Sequence, residues 1–227
     1  MMARMRRLVF LLAIALGLLA PASAPALDRT VSVQATVKRQ VPNDAAEVRF
    51  NVSKERQGRA AALRIVAVRV RAVIAAAQSI PGVGPGDVST GSISVRRVER
   101  GERPVYRASE GVTVITHRPE AAGELIAAGV AAGATNTQGP SFFVGNADAA
   151  YDAALVEALK RAKAKAEMLA AAAGAVLGPA ITIVEGGDVV STAGPRDKES
   201  AAAEPAPPVK PGTSSVTASV NATFALQ

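Results

Sequence analysis

The run Val216-Thr217-Ala218-Ser219-Val220-Asn221-Ala222-Thr223-Phe224 alternates without a break. Val216, Ala218, Val220, Ala222 and Phe224 fall on one side; Thr217, Ser219, Asn221 and Thr223 fall on the other. A period of two marks a strand with one face buried and one face wet. A tail trailing in water has no need of an apolar face, so this strand, assigned to residues 213–226, is expected to pair back into the body. The stretch before it, residues 187–212, is rich in Gly, Ala, Pro, Ser and charge and has no periodicity, which reads as a flexible excursion.

The same period recurs near the other end. Val31, Val33, Ala35 and Val37 alternate with Ser32, Gln34, Thr36 and Lys38. After Pro42-Asn43-Asp44, Ala46, Val48, Phe50 and Val52 alternate with Glu47, Arg49 and Asn51. The turn residues between them predict an antiparallel hairpin. Beyond Gly58 the period changes: Leu63, Val66, Ala67, Val70, Val73, Ile74 and Ala77 recur at helical spacing, with Arg64, Arg69 and Arg71 largely opposite. That helix ends before Pro81-Gly82, and the segment from Pro81 to Asp87 turns the chain. Strands follow at 88–98 and 105–117, with Ile93 and Val95, then Val112 and Val114, in alternation, and the charged stretch 96–103 is read as a loop between them.

Pro119 suits the first turn of a second helix, buried through Leu125, Ile126 and Val130 and stopped at Gly133. A short strand at 141–144 carries Phe142 and Phe143. A long helix then runs over about 147–173, with Asp148 near its positive end. Leu155, Leu159, Ala162, Ala166, Leu169 and Ala173 step by four and three, which predicts an apolar seam with small residues for close approach. Gly174 ends the helix, and Ile181 and Ile183 lie in a further strand. The order predicts an α+β fold of largely antiparallel sheets packed against amphipathic helices, and its repeated β-β-α runs suggest a duplication.

The first 26 residues read differently. Arg4, Arg6 and Arg7 come without an acid, Leu8 to Ala20 is apolar, and Ala22-Ser23-Ala24 and Ala24-Pro25-Ala26 offer two A-x-A frames. This is the pattern of a secretory signal peptide at residues 1–26. Cleavage after Ala24 would leave Pro25 beside the scissile bond, so cleavage after Ala26 is preferred, with a single α+β domain over 27–227. The apolar run falls short of the ~20 residues of a membrane span, and no later segment is long enough. The expected product is exported, soluble and periplasmic, with no transmembrane segment after signal cleavage.

The chain has 26 basic and 19 acidic residues, and residues 1–26 hold three arginines and no acid, which leaves +4 for residues 27–227. That balance does not demand a nucleic-acid partner. With no Trp, two Tyr and five Phe, there is little to build a stacking platform for bases. With no cysteine, neither a disulfide nor a thiol-linked lipid is available.

Catalytic patterns are equally sparse. His117, the sole histidine, stands at a strand end before a helix, but no acid pattern lies beside it in sequence, so it reads as an exposed or capping residue. No H-E-x-x-H or G-x-S-x-G occurs. Gly82 to Gly86 lacks the Lys-Ser/Thr of a phosphate loop and reads as a turn. Lys160, Arg161, Lys163 and Lys165 are interleaved with Glu157 and Glu167, the composition of a solvated helix face. Asn51-Val52-Ser53 and Asn221-Ala222-Thr223 match the glycosylation pattern but fall inside strands. No catalytic, cofactor-binding or metal-binding residue is therefore assigned.

Several pieces together resemble the SIMPL-domain family of bacterial periplasmic proteins. They are Val31-Ser32-Val33, Pro42-Asn43-Asp44-Ala45-Ala46-Glu47-Val48, Asp87-Val88-Ser89-Thr90 and Tyr106-Arg107-Ala108-Ser109. The fullest is Ala153-Ala154-Leu155-x-x-Ala158-x-x-x-Ala162-x-x-Lys165-Ala166-x-x-Leu169-Ala170, followed by Gly174, Leu177-Gly178 and Ile183-Val184-Glu185. The chain departs from the family at Gln34-Ala35-Thr36, where members carry a Gly-x-Gly-like step, and at Tyr106-Arg107, where Gly-Tyr is frequent. The resemblance implies a non-enzymatic envelope protein, with roles in stress tolerance and, for some members, homo-oligomers.

The expectation is thus a periplasmic protein, not an enzyme and without cofactor. It would serve cell-envelope maintenance or stress protection through self-association or an envelope protein partner. The alternative is a periplasmic module binding a small molecule or peptide in a groove between sheet and helices. A hydrolase using carboxylate or serine chemistry is a third reading.

Overall fold

The computed structural model describes residues 29–100, 103–191 and 209–227. The expected signal peptide and the middle of the 187–212 stretch lie outside the described residues. The C-terminal alternation forms β8 (Thr213–Leu226), the middle strand of a three-stranded antiparallel sheet. On one side it pairs with β1 (Thr30–Pro42), in unbroken register from Thr30 opposite Ala225 to Pro42 opposite Thr213. On the other side it pairs with β7 (Leu177–Ser191). β7 therefore runs into the stretch read as a flexible excursion, with Val189, Val190 and Ser191 opposite Thr217, Val216 and Ser215. A strand backbone can pair whatever its side-chain period, which is why the loss of alternation there did not end the ladder.

One face of this sheet is covered by α3 (Ala147–Ala172), whose first turn is capped by the Asn146 side chain accepting from the Ala149 amide at 3.0 Å. The buried row of α3 is Ala154, Ala158, Ala162, Ala166 and Ala170. This corrects the expected seam: Leu155 and Leu159 are half-buried beside the row, while Leu169 and Ala173 are exposed. Steps alternating between four and three suit a second helix. The partner here is a twisted sheet, and a row at every fourth residue slants across the helix by about 26°, following such a surface. Alanine at each step lets the helix lie close on Val33, Val37, Val216, Ala218 and Val220.

The second sheet holds five strands: β2 (Ala45–Arg56), β3 (Val88–Thr90), β4 (Ser94–Arg100), β5 (Arg103–Thr116) and β6 (Asn136–Phe143). Its order is β3-β5-β2-β6, with β4 pairing β5 beyond β3. Two helices cover one face, α1 (Arg59–Gln78) and α2 (Ala122–Ala131). Val48, Phe50 and Val52 of β2, Ala108, Val112 and Val114 of β5, the α1 row Ala62, Val66, Val70, Val73 and Ala77, and Leu125 of α2 form its core.

Four local readings change here. β1 and β2 are not a hairpin, because β1 pairs with β8 and β2 with β5 and β6, and the two β-β-α runs do not form matching units in space. The charged stretch is ladder rather than loop, with Arg96 opposite Arg107 and Val98 opposite Val105, since a ribbon wet on both faces needs no apolar alternation. β6 starts at Asn136, earlier than Ser141, and carries Gly139 and Pro140 at a register shift. Proline is tolerated there because β6 is an edge strand. Ile93, between β3 and β4, and Val130 are exposed rather than buried.

The passage from one sheet to the other runs through Asn43, a buried polar residue. Its Nδ2 donates to the Pro211 carbonyl at 2.7 Å, its Oδ1 accepts from the Ser214 hydroxyl at 2.6 Å, and its amide donates to the Gly212 carbonyl at 3.2 Å. Asp44 Oδ1 accepts from the Gly145 amide at 2.6 Å, just ahead of α3. Asn43→Ala should cost about 1–3 kcal/mol, because it leaves a buried hydroxyl and a carbonyl without partners. Urea unfolding checks this, and a loss below about 0.5 kcal/mol, the range of an inert surface change, would show that water replaces the side chain at no penalty.

Candidate interaction surface

His117 lies at the end of β5, and the structure supplies the acid that sequence proximity did not. Its Nε2 is 3.2 Å from Asp87 Oδ1, contributed from thirty positions earlier by the turn that precedes β3. Asp87 Oδ2 also accepts from the Gly84 amide at 2.7 Å. That backbone hydrogen bond is the main reason the Asp87 carboxyl titrates below its ordinary value; burial opposes it, and the hydrogen bond and charge of His117 add to the lowering. The pair stands in the open, with the His117 side chain 58% exposed. Its hydrogen bonds tie the glycine-rich turn to β5, together with the His117 amide donating to the Gly82 carbonyl at 2.9 Å. Gly82 adopts a φ of +90° beside the Arg118 side chain, as a turn rather than a phosphate cradle. A turn-fastening role fits this geometry better than acid–base work, which requires a reacting group held within reach.

Two shallow depressions lie elsewhere among the described residues. One, of about 450 Å³, is lined by Ser53, Lys54, Glu55, Arg56 and Arg107 at the far end of the second sheet. Arg107 Nε donates to Glu55 Oε1 at 2.8 Å, and the Ser53 hydroxyl lies 3.2 Å from the Thr135 hydroxyl. The other, of about 260 Å³, lies on the uncovered face of the first sheet, among Ser32, Gln34, Thr182, Val184, Asn221 and Thr223. Among the described residues no three His, Cys, Asp or Glu side chains converge as metal ligands, and no helix is long and apolar enough to cross a membrane.

The basic run of α3 is a wet face, with Arg161 paired to Glu157 at 2.6 Å and Lys163 to Glu167 at 3.9 Å. What the sequence did not mark is the outer margin of β7. β7 pairs with β8 along one edge, and among the described residues nothing pairs with the other. Ile181, Ile183 and Val184 are 57%, 52% and 52% exposed there. The other margin of the sheet, β1, bears Lys38 and Arg39, the charges with which edge strands discourage pairing. β7 carries no charge from Leu177 to Val184, and its Glu185 accepts a hydrogen bond from the Tyr151 hydroxyl at 2.6 Å. Isoleucines at strand spacing are a core signal in sequence, so only the topology shows that these two stay more than half exposed among the described residues.

No curated protein matches this chain. A family model does: SIMPL, described as a protein of unknown function (DUF541), over residues 31–224. The matched span runs from β1 to β8 and takes in both sheets and all three helices. The chain therefore belongs to the SIMPL family.

Proposed function

We propose that this is an exported periplasmic SIMPL protein without enzymatic activity, serving envelope maintenance or stress protection by assembling with itself. The observation that carries the reading is the exposed apolar stretch of the β7 margin from Ile181 to Val184, which carries no charge and lies between Pro179 and the irregularity after Gly186. Pairing of two such margins about a two-fold axis would satisfy the free backbone groups of both strands and join two three-stranded sheets into one of six. Ile181, Ile183 and Val184 would leave water in the process. The basic–apolar–small pattern of residues 1–26 supports export.

Analytical ultracentrifugation of residues 27–227 across the micromolar range tests the assembly. The expected result is an oligomer, reduced to monomer by Ile183→Lys with an unchanged far-UV circular dichroism spectrum, since the site is exposed in the single chain. A wild-type chain that stays monomeric, or an oligomer indifferent to Ile183→Lys, would overturn the reading. A monomer whose melting temperature rises with a periplasmic extract would instead favour the binding module.

A further inference from the structure

α1 carries Arg59, Arg64, Arg69 and Arg71 and no acidic residue. Its N-terminal end compounds the imbalance. Gly58 provides no side-chain cap, the first turn holds no acid, and Arg59 sets a cation at the positive end of the helix dipole. Nothing in helix stability accounts for that arrangement, and it suits an anion held at the same place.

The strands beneath add to it. Lys54 and Arg56 alternate in phase with Phe50 and Val52, so they share the sheet face that α1 covers. Arg97 lies opposite Tyr106, which lies opposite Arg56, so it falls on that face too. Among the described residues none of these seven cations makes an ion pair; Arg56 donates only to the Glu55 carbonyl. Elsewhere in the fold Arg39, Arg49, Arg107, Arg118, Arg161 and Lys163 face carboxylates, and Lys38, Arg96, Lys160 and Lys165 show no ion pair among the described residues, so what distinguishes the seven is that they gather around one helix and the sheet face beneath it. The asymmetry is large: residues 54–107 hold eleven Lys or Arg against four Asp or Glu, a net +7, while residues 27–227 as a whole carry +4.

We infer that this face docks on an anionic phospholipid bilayer. Lipid is favoured over nucleic acid by what lies between the cations. Arg64, Val68 and Arg71 form one stripe at helical spacing, and Val68 is 61% exposed. Val130 of the neighbouring α2 is 50% exposed. Apolar side chains flanked by arginine fit the boundary between headgroups and acyl chains, whereas a nucleic-acid backbone offers them no partner. The chain has no tryptophan, and the strand pairing sets a single aromatic ring, Tyr106, opposite Arg56 and Arg97, too little to stack bases. The surface belongs to the second sheet and its helices, so it is independent of the β7 margin and of whether the chain self-associates.

Co-sedimentation with vesicles tests it, using phosphatidylcholine alone against equal parts phosphatidylcholine and phosphatidylglycerol. The full chain from residue 27 should bind the anionic vesicles only, and binding should weaken with added salt. Arg64→Gln with Arg71→Gln, and separately Arg56→Gln with Arg97→Gln, should each lower the partition constant about fivefold per arginine removed. Val68→Ser should lower it as well. All these positions are accessible, so unchanged far-UV circular dichroism verifies the fold, and the Ile183→Lys chain, measured in parallel, should bind with unchanged intrinsic affinity. Absence of binding at low salt, or binding indifferent to both arginine pairs, would overturn the inference. Duplex DNA bound as tightly as the anionic vesicles, with no effect of Val68→Ser, would assign the face to nucleic acid instead.

Discussion

Ala162→Leu is expected to destabilise the protein by about 3 kcal/mol, the upper part of the range for inserting extra carbons into a packed core, and to lower the melting temperature by about 10 °C for a domain of this size. Ala162 is the middle step of the alanine row of α3 and has no exposed surface. The first sheet meets the helix there through β-branched and aromatic side chains of β1 and β8. A leucine at that step must push either the helix or the sheet outward, and Ala158 and Ala166 on either side would then lose their contacts as well. Leu169→Ala is the control. The four-and-three reading of the helix puts Leu169 in the seam, whereas the structure leaves it exposed, so its loss should stay within about 0.5 kcal/mol. Urea midpoints of the two variants decide the matter. A neutral Ala162→Leu beside a Leu169→Ala loss of about 2 kcal/mol or more, the penalty of emptying a core site, would mean that α3 packs through the leucines.

The second large effect concerns Gly129. Judged by helix propensity, Gly129→Ala in the body of α2 should gain up to about 1 kcal/mol. The packing says the reverse. A Cβ on Gly129 would overlap Cε1 of Phe50 and lie 2.6 Å from its Cζ, and Phe50 is buried in the second core. Phe50 shares a fully buried cluster with Val66, Val112 and Leu125, so a shift of its ring disturbs packed neighbours. Gly129→Ala should therefore be destabilising by about 2 kcal/mol net, and Gly129→Val by about 3 kcal/mol or more. Phe50→Leu in the Gly129→Val background should recover at least about 1 kcal/mol relative to additivity, the coupling expected of residues in direct contact. A stabilising Gly129→Ala would show that α2 does not sit this close to β2.

These two sites illustrate what a linear reading misses. A glycine inside a helical pattern looks like a weak point until its neighbour across the core is known. The leucines of α3 looked like the buried positions because they are large, yet the closest approach of a helix to a sheet selects the smallest side chains. β1 and β2 looked like a hairpin because Pro42-Asn43-Asp44 supplies turn chemistry, but the Asn43 side chain spends its hydrogen bonds on Pro211 and Ser214 at the other end of the chain. His117 seemed to lack an acid because Asp87 is brought to it only by the pairing of β3 with β5. The arginines of α1 were visible as letters, but that they make no ion pair among the described residues is a property of the assembled surface.

Taken alone, the sequence determined the kinds of element and their buried sides wherever a period of two or 3.6 was sustained: the strand of Val216 to Phe224, the helix carrying Val66, Val70 and Val73, and the α+β class that follows from them. It did so because side-chain periodicity is a local consequence of backbone geometry. The tertiary structure alone decided that the last strand enters between β1 and β7, that the charged residues 96–100 pair with β5, and that β7 and the arginine face of α1 are left bare among the described residues. Every strand backbone offers its neighbours the same donors and acceptors, so partner choice is settled by which apolar faces can be closed together, a condition on residues as far apart as Val31 and Phe224.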